Sequence, residues 1–407
     1  MPLFDRSPKC KCNDEGYKVL YVATVVRRHI ASFHIPYLKM IKQMGWSTAV
    51  AARNDYDDPT DCVIPYCDEY FNIPFERNPL DPRNFRAFLR IKKVIDSGGY
   101  DIIHVHTPVG ALLGRLAARK SRRTGTAIVY TAHGFHFFSG APAINWLLYY
   151  PVELLLSRLT DVLITINHED YERAKRFGAK KVMYIPGVGI DTELYAKMPC
   201  DRHSKRTGLG LADDDYVIIS VGELSKNKNH EVVIEALGIL KEQGCINNLH
   251  YLICGDGPLA SYLQQKVNGL GLNEHVSILG FRKDVPELLK TADIFAFPSI
   301  REGLPLSLME AMASGLPIIC SENRGTVDLV ENEVSALFAN NAESFANAIK
   351  ELRFDSEYAL SLASQAKRDV QRFDLSRCTD QMRRIYLDLV GELPNPKTIH
   401  CDVEHDW

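Results

Sequence analysis

Short apolar runs alternate with segments of helical period along nearly the whole chain, and the alternation halts once and then restarts. From Tyr17 the first series reads strand "YKVLYVATVV", helix "SFHIPYLKMIKQMG", strand "STAVAAR", basic amphipathic helix "NFRAFLRIKKVIDSGGY" and strand "DIIHVHT". Helix "GALLGRLAARKSR", strand "AIVYTAHG", helix "WLLYYPVELLLSRL", strand "DVLITIN", helix "EDYERAKRFG" and strand "KVMYIPG" complete it. After polar "KMPCDRHSKRTGLGLADDD" a second series opens with "YVIISVG" and runs to "PIICSE". Strands separated by helices pair in parallel through crossovers, so each series predicts an α/β domain with a parallel sheet. A chain of 407 residues is also long for one core. The expected division is a leader at 1–16, a Rossmann-like domain at 17–196, a linker at 197–215 and a second Rossmann-like domain at 216–371. A helix at 372–391 is expected to cross back to the first domain, ahead of a tail at 392–407. Ligands of such sheets bind beyond the carboxyl ends of the strands, so a cleft between two facing domains is the expected active site.

The net charge of −3 conceals an asymmetry: residues 1–200 carry +7 and residues 201–407 carry −10. A basic half suits an anionic partner, such as a membrane surface or a phosphorylated acceptor; a solvated imbalance gives the same count. The opening "MPLFDRSPKCKCNDEG" has no apolar segment of the export type, and no apolar run reaches the length that spans a bilayer. A cytoplasmic chain with reduced thiols is therefore expected, its ten cysteines unpaired. The spacing of Cys10, Cys12, Cys62 and Cys67 is not that of a zinc ribbon or finger, and no metal site is expected.

One stretch combines an apolar helix with two acids. In "REGLPLSLMEAMASGLPI", Arg301–Ile318, Pro305 suits a first helical position and Gly315 a position just past the helix end. Glu302 then lies in the loop before the helix. Glu310 lies about two turns inside, between Leu308, Met309, Ala311 and Met312, a costly place for an unpaired carboxylate.

The longer segment "FPSIREGLPLSLMEAMASGLPII" resembles the nucleotide-sugar signature of retaining glycosyltransferases of family 4, which have the GT-B fold. Two glutamates separated by seven residues, as Glu302 and Glu310 are, form its hallmark. "HVHTP" and "YTAHGFHF" resemble that family's acceptor-domain segments. "VGELSKNKNHEVVIEAL", "LICGDGP", "LGFRKDV" and "DIFAFPS" follow its donor-domain order. The resemblance implies that Glu310 binds the ribose hydroxyls, Glu302 approaches the transferred sugar and Lys228 binds the diphosphate. The Gly303 and Leu304 amides would face the diphosphate or donor hydroxyls, and Gly222, Gly255 and Arg282 complete the nucleotide-sugar set. His133 would be the active-site histidine of the first domain, with Arg27, His29 and His136 beside it on the acceptor side. His133, Lys228 and Glu302 are thus the catalytic candidates.

Two positions depart from the family pattern. Glu223 follows Gly222 where an arginine is usual, so Lys226 is the candidate second cation, with a solvated loop lysine as the alternative. "TVVRRHIASFH" replaces a glycine pair near the diphosphate. His104 and His106 alternate with Ile103 and Val105 on one strand face, and His106 is read as structural.

The implied chemistry is hexosyl transfer with retention from a UDP-sugar, without cofactor or metal ion, to a lipid-linked or oligosaccharide acceptor. Capsule, exopolysaccharide or lipid-linked oligosaccharide assembly at the inner membrane face is the implied setting, with no nucleic acid as partner. "FHFFSGAPAINWLLYYPVELLLSR", beside the basic residues Arg115 through Arg123, reads either as an interfacial surface carried by Trp146 and Tyr149 or as a buried helix. A UDP-sugar epimerase of the same fold and a non-catalytic nucleotide-sugar-binding subunit are the rival readings.

Overall fold

The structure, a computed structural model, describes residues 16–392. It divides into two compact units. One takes the chain up to Ile166, Asp170–Val188 and the chain from Cys378; the other takes Asn167–Glu169 and Gly189–Arg377.

The first unit holds seven strands: β1 (Lys18–Val25), β2 (Ser47–Arg53), β3 (Glu69–Asn72), β4 (Ile102–His106), β5 (Ala127–Ala132), β6 (Val162–Thr165) and β7 (Lys181–Tyr184). Their order is β3-β2-β1-β4-β5-β6-β7, all parallel. β1 and β4 are neighbours, with Tyr21 opposite His104. There the order reverses direction, which opens a crevice at the carboxyl ends of the strands. Apolar residues cover both sheet faces, as a parallel sheet between helices requires. Leu20 and Val22 pack into one core with Ile103 and Val105; Val19, Tyr21 and Ala23 pack into another with Ile102 and Tyr386.

The second unit repeats the design with β8 (Tyr216–Val221), β9 (Leu249–Cys254), β10 (Val276–Gly280), β11 (Ile294–Phe297), β12 (Ile318–Cys320) and β13 (Leu337–Phe338). The order is β10-β9-β8-β11-β12-β13, again parallel throughout. Its switch point lies between β8 and β11.

The expected boundaries shift. The first unit gives way to the second after Val188, short of residue 196, because Ile190 donates its N–H to Phe373 O (3.0 Å) and so ties the chain to the second unit. The segment 197–215 is no linker. It carries the helix Arg202–Gly208, whose Arg206 is buried and donates to the carbonyls of Thr291, Asp213 and Asp215 and to the Asp293 carboxylate. A stretch that reads as polar is anchored by its most polar residue. The second unit also runs beyond residue 371 to Arg377. The last helix, Leu375–Val390, belongs to the first unit from Cys378 and buries Met382, Ile385 and Tyr386.

Candidate active site

In the second unit β11 runs into a loop at 298–305 and then the helix Leu306–Ser314. Pro305 caps this helix with extended backbone (ψ 115°) and is not its first turn, and Gly315 ends it in the left-handed region (φ 79°). Leu308, Met309, Ala311 and Met312 are fully buried. Glu310 escapes them at a half-buried position, where the Tyr195 hydroxyl donates to its Oε1 at 2.8 Å. Burial pushes its carboxyl above the ordinary glutamate range, and the tyrosine opposes that rise.

Glu302 pairs with Lys228, Nζ to Oε1 at 2.7 Å, both side chains largely buried. Lys228 follows β8 and sits 5.2 Å from the Phe297 ring centroid. The two loops are tied by Asn227, which accepts from the Ile300 N–H (2.8 Å) and donates to Arg301 O (2.9 Å). Arg324 Nε donates to Glu302 O at 3.1 Å, and a Cβ on the adjacent Gly325 would meet Glu302 Cβ at 2.8 Å. The Gly303 and Leu304 amides donate to no group among the described residues. Both precede the helix and are not in its first turn.

The remaining donor-side candidates divide. Gly255 (φ 156°) has no room for a Cβ, which would lie 1.8 Å from Gly222 O, so these two glycines serve a close backbone approach. Arg282 grips Asp284 through Nε (2.7 Å) and a terminal nitrogen (2.5 Å) and holds that carboxyl well below the usual range. Its fork is already occupied. Glu223 is exposed, so it does not face a buried anion, and Lys226 is exposed and without a partner among the described residues.

In the first unit β1 ends in a π-helical turn, Val26–Ile30. Arg27 turns outward: its N–H donates to Asp55 (2.6 Å) and its guanidinium to Asp57 (2.9 Å). His29 turns inward. It meets His34 Nε2 to Nε2 at 3.2 Å, and its ring centroid is 4.8 Å from that of His133. His133 follows β5, with Nε2 3.4 Å from His106 Nδ1. Burial lowers its pKa to about 4, so it is a neutral imidazole at physiological pH. His29, His133 and His136, the last stacked on Tyr149, line one cavity of about 250 Å³. His104 and His106 share a face against Tyr21, but only His104 is a satisfied structural residue. It bonds Tyr386 (2.6 Å) and Thr131 (2.8 Å), whereas His106 contacts His133.

The sequence pattern of the family "Glycosyltransferase Family 4" matches residues 37–194, and that of "Glycosyl transferases group 1" matches residues 201–369. EpsD of Bacillus subtilis (strain 168) is 42% identical over 375 residues, covering 91% of this chain and 96% of EpsD. The chain belongs to the group 1, family 4 glycosyltransferases.

Escherichia coli UDP-Gal:alpha-D-GlcNAc-diphosphoundecaprenol alpha-1,3-galactosyltransferase is 31% identical to this glycosyltransferase over 316 residues, 76% of this chain and 80% of that one. Anabaena Alr3699/HepE, solved with UDP and glucose, shares its fold. The TM-score is 0.76 at 22% identity, with 91% of this chain and 100% of that one covered. The two units are thus the two Rossmann-like domains of a GT-B enzyme.

The aromatic helix of the glycosyltransferase, Ala143–Ser157, divides between the two sequence readings, a core helix and an exposed apolar face. Trp146, Tyr149 and Tyr150 pack onto the core, with Arg173 over the Trp146 ring at 4.9 Å. Its exposed large apolar residues are Ile144, Leu147 (71%), Leu148, Val152 and Leu155 (62%). The basic cluster is likewise divided: Arg115 is buried against Glu153, Arg122 pairs with Asp161, and Arg119, Lys120 and Arg123 face solvent. A second helix, Arg83–Gly98, packs on the same core and exposes Phe85 (68%) and Leu89 between Arg86, Arg90 and Lys93. Among the described residues no helix is long and apolar enough to cross a membrane. Cys62 and Cys67 are free and join no ligand cluster among the described residues; Cys10 and Cys12 lie outside them.

Sequence reasoning missed Tyr195, which lies 115 residues from its partner Glu310, and His34, which no motif marks.

Proposed function

We propose that this glycosyltransferase moves a hexose or N-acetylhexosamine from UDP, with retention, to a glycan acceptor on a polyprenyl diphosphate, in exopolysaccharide, capsule or lipid-linked oligosaccharide assembly. One observation carries the donor half: two amides without an acceptor among the described residues, Gly303 and Leu304, lie between a lysine-paired glutamate and a tyrosine-held one. Unpaired N–H groups ahead of a helix suit a diphosphate. A carboxylate such as that of Glu310 accepts two adjacent hydroxyls, as a ribose offers. HepE, solved with UDP, and the galactosyltransferase named for a UDP-sugar and a diphosphoundecaprenol acceptor support the choice of donor and acceptor class.

In this reading the Lys228–Glu302 pair is a resting arrangement. A donor diphosphate draws Lys228 toward itself, and the freed Glu302 carboxylate accepts from sugar hydroxyls. The bond from the anomeric carbon to the diphosphate oxygen breaks while the acceptor oxygen bonds the same face of that carbon. The acceptor proton passes to the departing diphosphate. Lys228 and the two amides stabilise the charge that develops there, and preorganised donors of this kind contribute several kcal/mol. No resident cofactor or metal ion is assigned to this donor step. His133, neutral, positions hydroxyls by hydrogen bonding and does not serve as an acid.

The setting at the inner membrane face rests on the helices Ala143–Ser157 and Arg83–Gly98. Both pack on one core; the first presents Leu147, Leu148 and Leu155 outward, and the second presents Phe85 and Leu89 beside Arg86 and Arg90, which have no ion-pair partner among the described residues. Such a face inserts shallowly while its cations meet anionic lipid.

Purified enzyme incubated with labelled UDP-sugars and membrane lipid extract tests the reading. Label in the lipid phase supports transfer. An isomerised free UDP-sugar would make the protein an epimerase, and binding alone would make it a recognition subunit.

A further inference from the structure

His29, His34, His106 and His133 each offer one ring nitrogen to a common centre, and these four nitrogens lie within 4.8 Å of one another. We infer that this cluster binds one divalent transition-metal ion of the zinc class, held by imidazoles alone. A tetrahedral ion with metal–nitrogen bonds of about 2.0–2.1 Å places its ligand atoms about 3.3–3.4 Å apart. The His29–His34 contact is 3.2 Å and the His106–His133 contact is 3.4 Å. These pairs share no residue, so they correspond to opposite edges of one tetrahedron. The remaining edges are 4.8 Å at most and shorten to the same value as an ion draws the two pairs together.

The local backbone brings the ligands together. His29 and His34 are five residues apart, which on a regular α-helix separates side chains by about 140° around the axis. The π-helical turn Val26–Ile30 followed by the short helix Ala31–Phe33 breaks that regularity and turns both rings to one centre. His106 ends β4 and His133 follows β5, adjacent parallel strands, so the sheet supplies the other two.

His29, His34 and His106 are buried and His133 is half-buried, so the four facing nitrogens are largely screened from solvent. His34 is 2% exposed and His106 1%, and the nitrogens they turn to the centre, His34 Nε2 and His106 Nδ1, meet only other imidazoles of the cluster. His104 shows the contrast: both of its nitrogens are engaged, by Tyr386 and Thr131, so it stands outside the ligand set. Four nitrogen donors without a carboxylate or thiolate favour zinc, cobalt, nickel or copper over magnesium or calcium. Because His29 and His133 also line the 250 Å³ cavity, the ion has a route in and one side near the solvent. All four ligands belong to the first unit, so this ion is separate from the charge balance proposed for the diphosphate in the second.

The test needs no turnover and stands or falls independently of the donor and acceptor assignments. Untagged full-length protein is stripped with chelator, returned to zinc or cobalt in the presence of a weak competing chelator, and its metal content measured. About one ion per chain and the visible bands of tetrahedral cobalt are expected. His34→Gln and His106→Gln should each weaken zinc binding at least tenfold, whereas His104→Gln should retain it. If either ligand variant fails to fold, the wild-type cobalt spectrum alone still decides. Less than a tenth of an ion per chain in wild type, octahedral cobalt, or equal zinc binding after both ligand substitutions would overturn the inference.

Discussion

Replacing Glu310 with glutamine separates the charge of this residue from its shape. Glutamine keeps an oxygen at Oε1 to accept from Tyr195, whose hydroxyl lies 2.8 Å away, so the helix Leu306–Ser314 has no reason to move. What disappears is a carboxylate that burial already holds above its ordinary pKa. An acid whose pKa is raised on folding binds more protons folded than unfolded. Its ionisation therefore lowers stability as pH rises through the raised pKa. Glu310→Gln should melt at the same temperature as wild type or higher when no nucleotide is bound. Nucleotide binding should respond in the opposite sense. Losing an ionised acceptor from two hydroxyl contacts costs about 1.5–3 kcal/mol, or about 10- to 150-fold in Kd for UDP by calorimetry. Wild-type affinity for a UDP-sugar should also fall as pH is lowered through the raised pKa of Glu310, while that of the variant stays flat over the same range. A folded variant that binds UDP as tightly as wild type would refute the ribose assignment and leave Glu310 a structural acceptor for Tyr195.

Lys228→Ala should reduce turnover on the order of a hundredfold while changing UDP-sugar binding much less, because its contact strengthens as charge develops on the leaving group. Lys226→Ala, at an exposed lysine without a partner among the described residues, should have a smaller effect, and near-wild-type steady-state rates in both would move the proposed cations elsewhere. At the membrane, salt should loosen the protein from anionic vesicles only in part, since each lipid-facing cation contributes about 1 kcal/mol and is screened within about 8 Å. Leu147→Ser with Leu155→Ser should make the remainder salt-extractable in a sedimentation assay. Wild-type protein that stays in the supernatant at low salt would rule the face out.

The sheets were legible because parallel strands covered on both faces print as uninterrupted apolar runs, as "YVIISVG" and "DVLITIN" do. β3 and β13 escaped notice because "EYFN" and "LF" are short edge strands that carry too few apolar letters to register. The segment 197–215 misled for the converse reason. Its composition is that of a linker, yet Arg206 is buried among carbonyl oxygens, and a buried arginine reads in sequence like an exposed one. At the site, the Glu302–Glu310 spacing with its proline and glycine was visible within one motif. The pairing of Lys228 with Glu302 spans 74 residues and is created by adjacent strand ends, which no local pattern reports. The aromatics around Trp146, with basic residues nearby, left an interfacial surface and a buried helix both open. The helix turns its aromatic rings to the core and Leu147, Leu148 and Leu155 outward, a choice set by which face meets Phe137 and Phe177.

The most direct measurement is the fate of the anomeric carbon. A UDP-sugar labelled at that carbon is incubated with the enzyme and a polyprenyl-diphosphate-linked sugar, and the lipid product is analysed by NMR. Same-face transfer puts the label in the lipid product with the anomeric configuration of the donor, and that product should form on the order of a hundredfold more slowly in Lys228→Ala. Inverted configuration would contradict same-face transfer, and a soluble acceptor taken in preference to the lipid-linked one would contradict the acceptor class.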